Sequence, residues 1–181
     1  MKWTSYLRSF AFPRLLKPGA IVAPISLTAE DGTWVQSIDY IQTHKVLWVS
    51  IKNATDENTA RWVRSFSREI DQIHEHDCQM FFVSSQSLAD IRELHRKVDL
   101  SCHALYDPMA MESRKLGLSG RRPMCRDAVL LVDEFGKVVD SICGQSCSPG
   151  TGLSGAVGPR SPEWQVNLEE PARGPLIAQK K

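Results

Sequence analysis

The chain lacks most of the features that would assign it a chemistry at sight. Its five cysteines (Cys78, Cys102, Cys125, Cys143, Cys147) are odd in number and form no C-x-x-C pair. This argues against a secreted disulfide framework and for a reducing compartment. No second Cys or His pair stands at metal-ligand spacing: His74 and His76 are two apart and face different sides of a helix, and His44, His95 and His103 are isolated in sequence. No metal and no cofactor is therefore expected. Nowhere do the ~18 consecutive apolar residues of a membrane-spanning helix occur, nor does the N-terminus carry an apolar run of signal-peptide length. A formal net charge of +1 supplies no global field to draw in nucleic acid. The expected location is the cytoplasm, free or peripheral at a membrane.

The middle of the chain alternates apolar strand and amphipathic helix patterns. Ile25 to Ala29 and Thr33 to Gln36 flank Asp31-Gly32, two residues that tolerate positive φ and so signal a hairpin. Lys45 to Ile51 is a nearly continuous apolar run, as in a central strand covered on both faces. Thr55 or Asp56 then caps a helix expected to reach about Glu75, with Val63, Phe66, Ile70 and Ile73 at helical spacing. Gln79 to Ser84 is a second buried strand. Ser87, with Asp90 three residues on, opens a helix whose inner face is Leu88, Ile91, Leu94 and Val98. A short strand at His103 to Tyr106, a short helix at Met109 to Leu116 closed by Gly117, and a hairpin of Ala128 to Val132 with Lys137 to Ile142 complete the body. This order predicts an α/β thioredoxin-like sandwich, a central mixed sheet flanked by helices.

Both ends differ from the body. Residues 1–18 hold Lys2, Arg8, Arg14 and Lys17, with no acidic residue before Glu30. Trp3, Tyr6, Leu7 and Phe10 share one side of a short helix. That arm reads as a docking helix for a partner or membrane surface, as a targeting segment, or as a piece that packs on its own domain. Residues 144–181 contain six Gly and five Pro and lack periodic apolar residues. Trp164, Val166 and Leu168 are spaced by two there, which suits strand addition to a partner or an incidental set in a solvated tail. The expected organisation is an arm over 1–18, one domain over 19–143 and a tail over 144–181.

Several motifs in this order resemble the peroxiredoxins, the alkyl hydroperoxide reductase and thiol-specific antioxidant superfamily. Lys52, Thr55 and Thr59 coincide with the active-site loop Pro-Lys-Asp-x-Thr-Pro-Gly-Cys-Thr. Gly19 to Pro24, Asp31-Gly32, Phe82-Val83-Ser84, Leu105 to Pro108 and Asp133 to Val138 resemble the family's other landmarks. The resemblance implies the thioredoxin-type redoxin fold and sets Asn58 at the peroxidatic cysteine. An amide cannot form a thiolate, the nucleophile of peroxide chemistry. It also implies an arginine six residues before the hairpin aspartate, where this chain has Asp127, with Arg126 adjacent. A one-residue slip in a strand turns a side chain to the opposite face. Of the family's catalytic set, Thr55 is kept.

If chemistry has moved, the cysteines are where to look. Cys125 lies beside Arg121, Arg122 and Arg126, and neighbouring guanidinium groups lower a thiol pKa. Cys143 and Cys147 could form a disulfide, a redox dithiol or half of a metal site. Cys78 and Cys102 read as small apolar packing residues. The sequence thus points first to a catalytically silent pseudoenzyme, an accessory or interaction subunit that docks on a protein assembly through Trp3, Tyr6, Phe10 and Trp164. The competing reading is a thiol-dependent peroxidase or disulfide reductase using Cys125 or the Cys143/Cys147 pair.

Overall fold

A computed structural model describes residues 15–119 and 124–144. Trp3, Tyr6, Phe10, Trp164, Cys147, Arg121 and Arg122 lie outside them. Seven strands form one mixed sheet: β1 (Ser26–Ala29), β2 (Trp34–Gln36), β3 (Lys45–Ile51), β4 (Cys78–Ser84), β5 (Ala104–Tyr106), β6 (Ala128–Val132) and β7 (Val138–Cys143). Their order across the sheet is β2-β1-β5-β4-β3-β6-β7. The central β3, β4 and β5 run parallel, and every other neighbouring pair is antiparallel. Among the described residues the α-helices are α1 (Glu57–Ser67), α2 (Ile70–Glu75), α3 (Leu88–Val98) and α4 (Met111–Lys115).

β3 occupies the residues its apolar run predicts, and only Lys45 is not buried. Such burial fits a parallel strand with elements on both faces. On one face Val63 of α1 and Ile91 and Leu94 of α3 meet Ile51, Phe82 and Ala104 around a small apolar void. On the other, Trp48 stacks on Phe81 with ring centroids 5.2 Å apart, and Tyr40 meets Phe81 edge-on at 5.0 Å. Leu15 and Leu16 pack against this second cluster, and Ser141 Oγ donates to the Leu16 carbonyl at 2.7 Å. The end of the basic arm therefore touches the core, as the self-packing alternative expects for that part.

Two local readings are corrected. The helix expected to run to Glu75 stops at Ser67, and α2 restarts at Ile70. Ser67 Oγ donates to the Asp99 carbonyl at 3.1 Å and Arg64 to the Lys97 carbonyl at 3.3 Å, so distant partners fix that end. At the first hairpin only Gly32 takes a positive φ, +94°. Ala29 N–H donates to Thr33 O at 2.8 Å across a three-residue loop, Glu30-Asp31-Gly32. A left-handed glycine in the third loop position is what such a hairpin requires.

Candidate functional site

The segment between β3 and α1 crosses the carboxyl end of the parallel strands, the edge at which open α/β sheets bind ligands. Asp56 caps α1, its Oδ2 accepting from Thr59 N–H at 3.0 Å. This is the ordinary N-cap role, in which one orphan helix donor is satisfied. Thr55 donates both its N–H (3.2 Å) and its hydroxyl (2.9 Å) to Asn53 Oδ1. Asn58, in the first turn, accepts from Arg61 Nη2 at 2.5 Å. Glu57 pairs with Lys97 of α3, and that ammonium holds its carboxyl below the usual range. The loop's polar side chains are thus engaged with one another or with neighbouring helix residues, and no thiol lies between Ile51 and Ala60.

Asp127 stands across from this loop, just before β6. Its Oδ1 accepts from Lys52 N–H at 2.8 Å, and its carbonyl accepts from Gly144 N–H at 2.9 Å. Gly144 matters here because a Cβ at that position would come within 3.2 Å of the Asp127 Cβ and carbonyl oxygen. Burial raises the Asp127 carboxyl pKa, and the nearby Asp56 charge adds to it against the opposing effect of Lys52. Arg126 does not take up the aspartate's position: its guanidinium Nη2 donates to the Gly117 carbonyl.

A carboxylate whose folded pKa is raised opposes folding above that pKa, and the penalty fades as pH falls toward the unfolded value. Asp127→Asn keeps an acceptor for Lys52 N–H while removing the charge. We expect it to raise the neutral-pH melting temperature by about 2 °C. The gain should disappear below about pH 4, where the unfolded carboxyl is itself protonated. A melting series against pH checks both.

The cysteines fall into two groups. Burial pushes the Cys78 thiol up to about 11 and the Cys102 thiol up to about 12. Cys125 is 2 % exposed, and burial raises its pKa too, with the Asp107 charge opposing ionisation further. This corrects the expectation of a thiol activated by guanidinium groups. Its Sγ lies 3.2 Å from Ser113 Oγ, and its N–H donates to Ser85 Oγ at 3.0 Å. Ser113 Oγ in turn donates to Asp107 Oδ2 at 2.7 Å. Sequence reading quoted Asp107 as a landmark but missed this buried Asp107-Ser113-Cys125 chain, whose members sit 6 and 12 residues apart. Cys143 is exposed, with Sγ 3.9 Å from the Asp127 carbonyl oxygen. His95 and His103, isolated in sequence, both face Glu30.

Residues 18–141 match the AhpC/TSA family, well over half of the chain. The chain belongs to the AhpC/TSA family. Among solved structures this AhpC/TSA domain is similar to peroxidoxin BcpB from Mycobacterium tuberculosis, at 16% identity and a TM-score of 0.65, covering 71% of this chain and 86% of that one. The reduced 2-Cys peroxiredoxin of Plasmodium vivax aligns at 15% identity and 0.64, covering 74% and 88%. AhpC of Enterococcus faecalis aligns at 13% and 0.66, covering 74% and 84%. At these identities the likeness is one of fold, and it bears out the thioredoxin-like architecture. No curated protein sequence matches the chain. Among the described residues no helix is long and apolar enough to cross a membrane.

Proposed function

We propose that this AhpC/TSA-family chain is catalytically silent and serves as a structural or interaction subunit of a larger assembly. What carries the reading is Asn58, in a first helical turn beside Asp56 and Glu57, at the place where the resemblance of this loop to the peroxiredoxin motif sets the peroxidatic cysteine. Nucleophilic attack on peroxide needs a thiolate, which positive charge favours and burial or negative charge opposes. Asp56 and Asp127 add negative charge at that end, while Glu57 is paired with Lys97. Cys78, Cys102 and Cys125 are buried with raised thiol pKa values, which leaves them inert as nucleophiles. The scaffold would instead present its extensions, with Trp3, Tyr6, Phe10 and Trp164 as anchors, to a protein partner or a membrane-surface assembly. Aromatic anchors of this kind dominate interface energetics.

Purified protein is expected to turn over hydrogen peroxide no faster than background with dithiothreitol or thioredoxin, and Cys125→Ser should change nothing. Robust turnover abolished by Cys143→Ser or Cys147→Ser would install the thiol-oxidoreductase reading. For the partner, deletion of Met1 to Arg14 or of Gln145 to Lys181 should leave the domain folded yet abolish co-purification of its assembly. The first cut stops short of Leu15 because Leu15 and Leu16 pack on the core. An undiminished association in both truncations refutes the docking role.

A further inference from the structure

Glu30 and Asp31 occupy the β1–β2 loop, His103 directly precedes β5, and His95 lies in the last turn of α3. Because β1 pairs with β5, the loop is carried up against His103. Glu30 N–H donates to the Ala104 carbonyl at 2.9 Å, and Ala104 N–H donates to Glu30 Oε2 at 2.8 Å. That fixes one carboxylate oxygen and turns Oε1 to His103 Nδ1, 3.9 Å away, and to His95 Nε2, 3.3 Å away. Asp31 is held by Thr33 N–H, which donates to its Oδ1 at 2.8 Å. Ligand atoms of Glu30, Asp31 and His103 all lie within 4.8 Å of one another.

We infer that Glu30, Asp31 and His103 form a binding site for a divalent transition-metal ion of the zinc class, with His95 positioning Glu30. Zinc bonds of about 2.0–2.2 Å put tetrahedral ligand atoms roughly 3.4 Å apart. The observed separations exceed that by at most about 1.4 Å, within reach of small rotations of the exposed Asp31 side chain and of the His103 ring, whose Nδ1 lies 3.9 Å from Glu30 Oε1. One imidazole nitrogen and two carboxylates are a mixed N/O set suited to borderline divalent ions. His95 Nε2 lies 3.2 Å from the Cys102 carbonyl as well as near Glu30 Oε1. Two acceptors around one ring nitrogen make it a donor, so His95 orients the carboxylate, the supporting role that tunes many metal sites. The Glu30 side chain is only 13 % exposed while Asp31 faces solvent, giving the ion an entry side and room for water as the remaining ligand. The ion would tie the first hairpin to β5.

The test titrates the full chain with Co2+, reading its d–d absorption, and then displaces it with Zn2+. One ion per chain is expected, without sulfur-to-cobalt charge transfer. His103→Ala and Asp31→Asn should each weaken binding by about tenfold or more. Asp31 is exposed, so its variant stays folded whatever befalls the other. His95→Ala, which removes the donor to Glu30, should weaken binding severalfold, and His95→Gln, which restores a donor, should recover most of it; His44→Ala is expected to bind as wild type. Absence of d–d bands, binding that survives both ligand variants, or a charge-transfer band lost in Cys143→Ser/Cys147→Ser would overturn the assignment. In the first case the cluster is a set of Glu–His ion pairs only.

Discussion

Asp107→Ala should lower the unfolding free energy by about 3 kcal/mol, because it strips a buried acceptor from three donors at once. Asp107 is 3 % exposed, and its carboxylate accepts from Ser113 N–H (2.7 Å), Ser113 Oγ (2.7 Å) and Met111 N–H (3.0 Å). It thereby caps α4 from outside the helix, since the residue before α4, Ala110, has no capping side chain and takes a left-handed φ of 49°. With alanine there, the buried Ser113 N–H and the part-buried Met111 N–H lose their acceptor, and Ser113 Oγ keeps only its contact with Cys125 Sγ. A second readout follows from the Ser113 link to Cys125. Thiol labelling under native conditions should reach Cys125 faster in the variant, with the exposed Cys143 as internal reference. Urea unfolding and mass-resolved labelling measure the two effects. An unchanged midpoint together with a protected Cys125 would show that the chain from Asp107 to Cys125 carries no stability.

Trp48→Ala should cost about 4 kcal/mol, the upper part of the range for removing a large aromatic from a core. Trp48 is 2 % exposed, sits mid-strand in β3, and pairs in register with Phe81 on one side and Leu130 on the other. Its loss opens a hole bounded by strands that hydrogen-bond to one another, so neighbours cannot collapse into it without breaking the ladder. Trp48→Phe retains the stacked contact with Phe81 and should cost less than half as much. A small molecule such as indole added to Trp48→Ala should recover part of the loss, because engineered apolar cavities bind apolar ligands. Equal stability of the alanine and phenylalanine variants would place the weight of the core elsewhere.

The parts of this protein written in local pattern were legible in its sequence. The nearly continuous apolar run of β3 gave its bounds, and Ser87 with Asp90 gave the start of α3, where Ser87 Oγ accepts from Asp90 N–H at 3.2 Å. The break between α1 and α2 was not legible. Val63, Phe66, Ile70 and Ile73 keep helical spacing across it, no glycine or proline marks it, and the bonds that end α1 come from residues 32 and 33 positions away. Cys125 was misread for a related reason: arginines adjacent along the chain were taken as its surroundings. The fold turns the thiol inward to Ser113 and Arg126 toward Gly117. Glu30 and His103 share no spacing that a motif could capture, and only the β1–β5 pairing unites them. Side chains that meet through strand pairing are invisible to any window shorter than the loop that separates them.

The same pairing sets the order in which the chain can assemble. β1 and β2 are made first during synthesis, yet the inner edge of β1 finds its partner only when Leu105 and Tyr106 have been made. Until then the hairpin is an isolated pair of short strands, marginal at best in water. Closing so long a segment is entropically slow, so strand pairings of this kind form late and slow folding as a whole. The central β3–β4 ladder, joined through α1 and α2, spans a shorter separation, so loop-closure entropy favours its pairing over that of β1 with β5. The β1–β2 hairpin is in this way among the last parts of the sheet to find its inner neighbour.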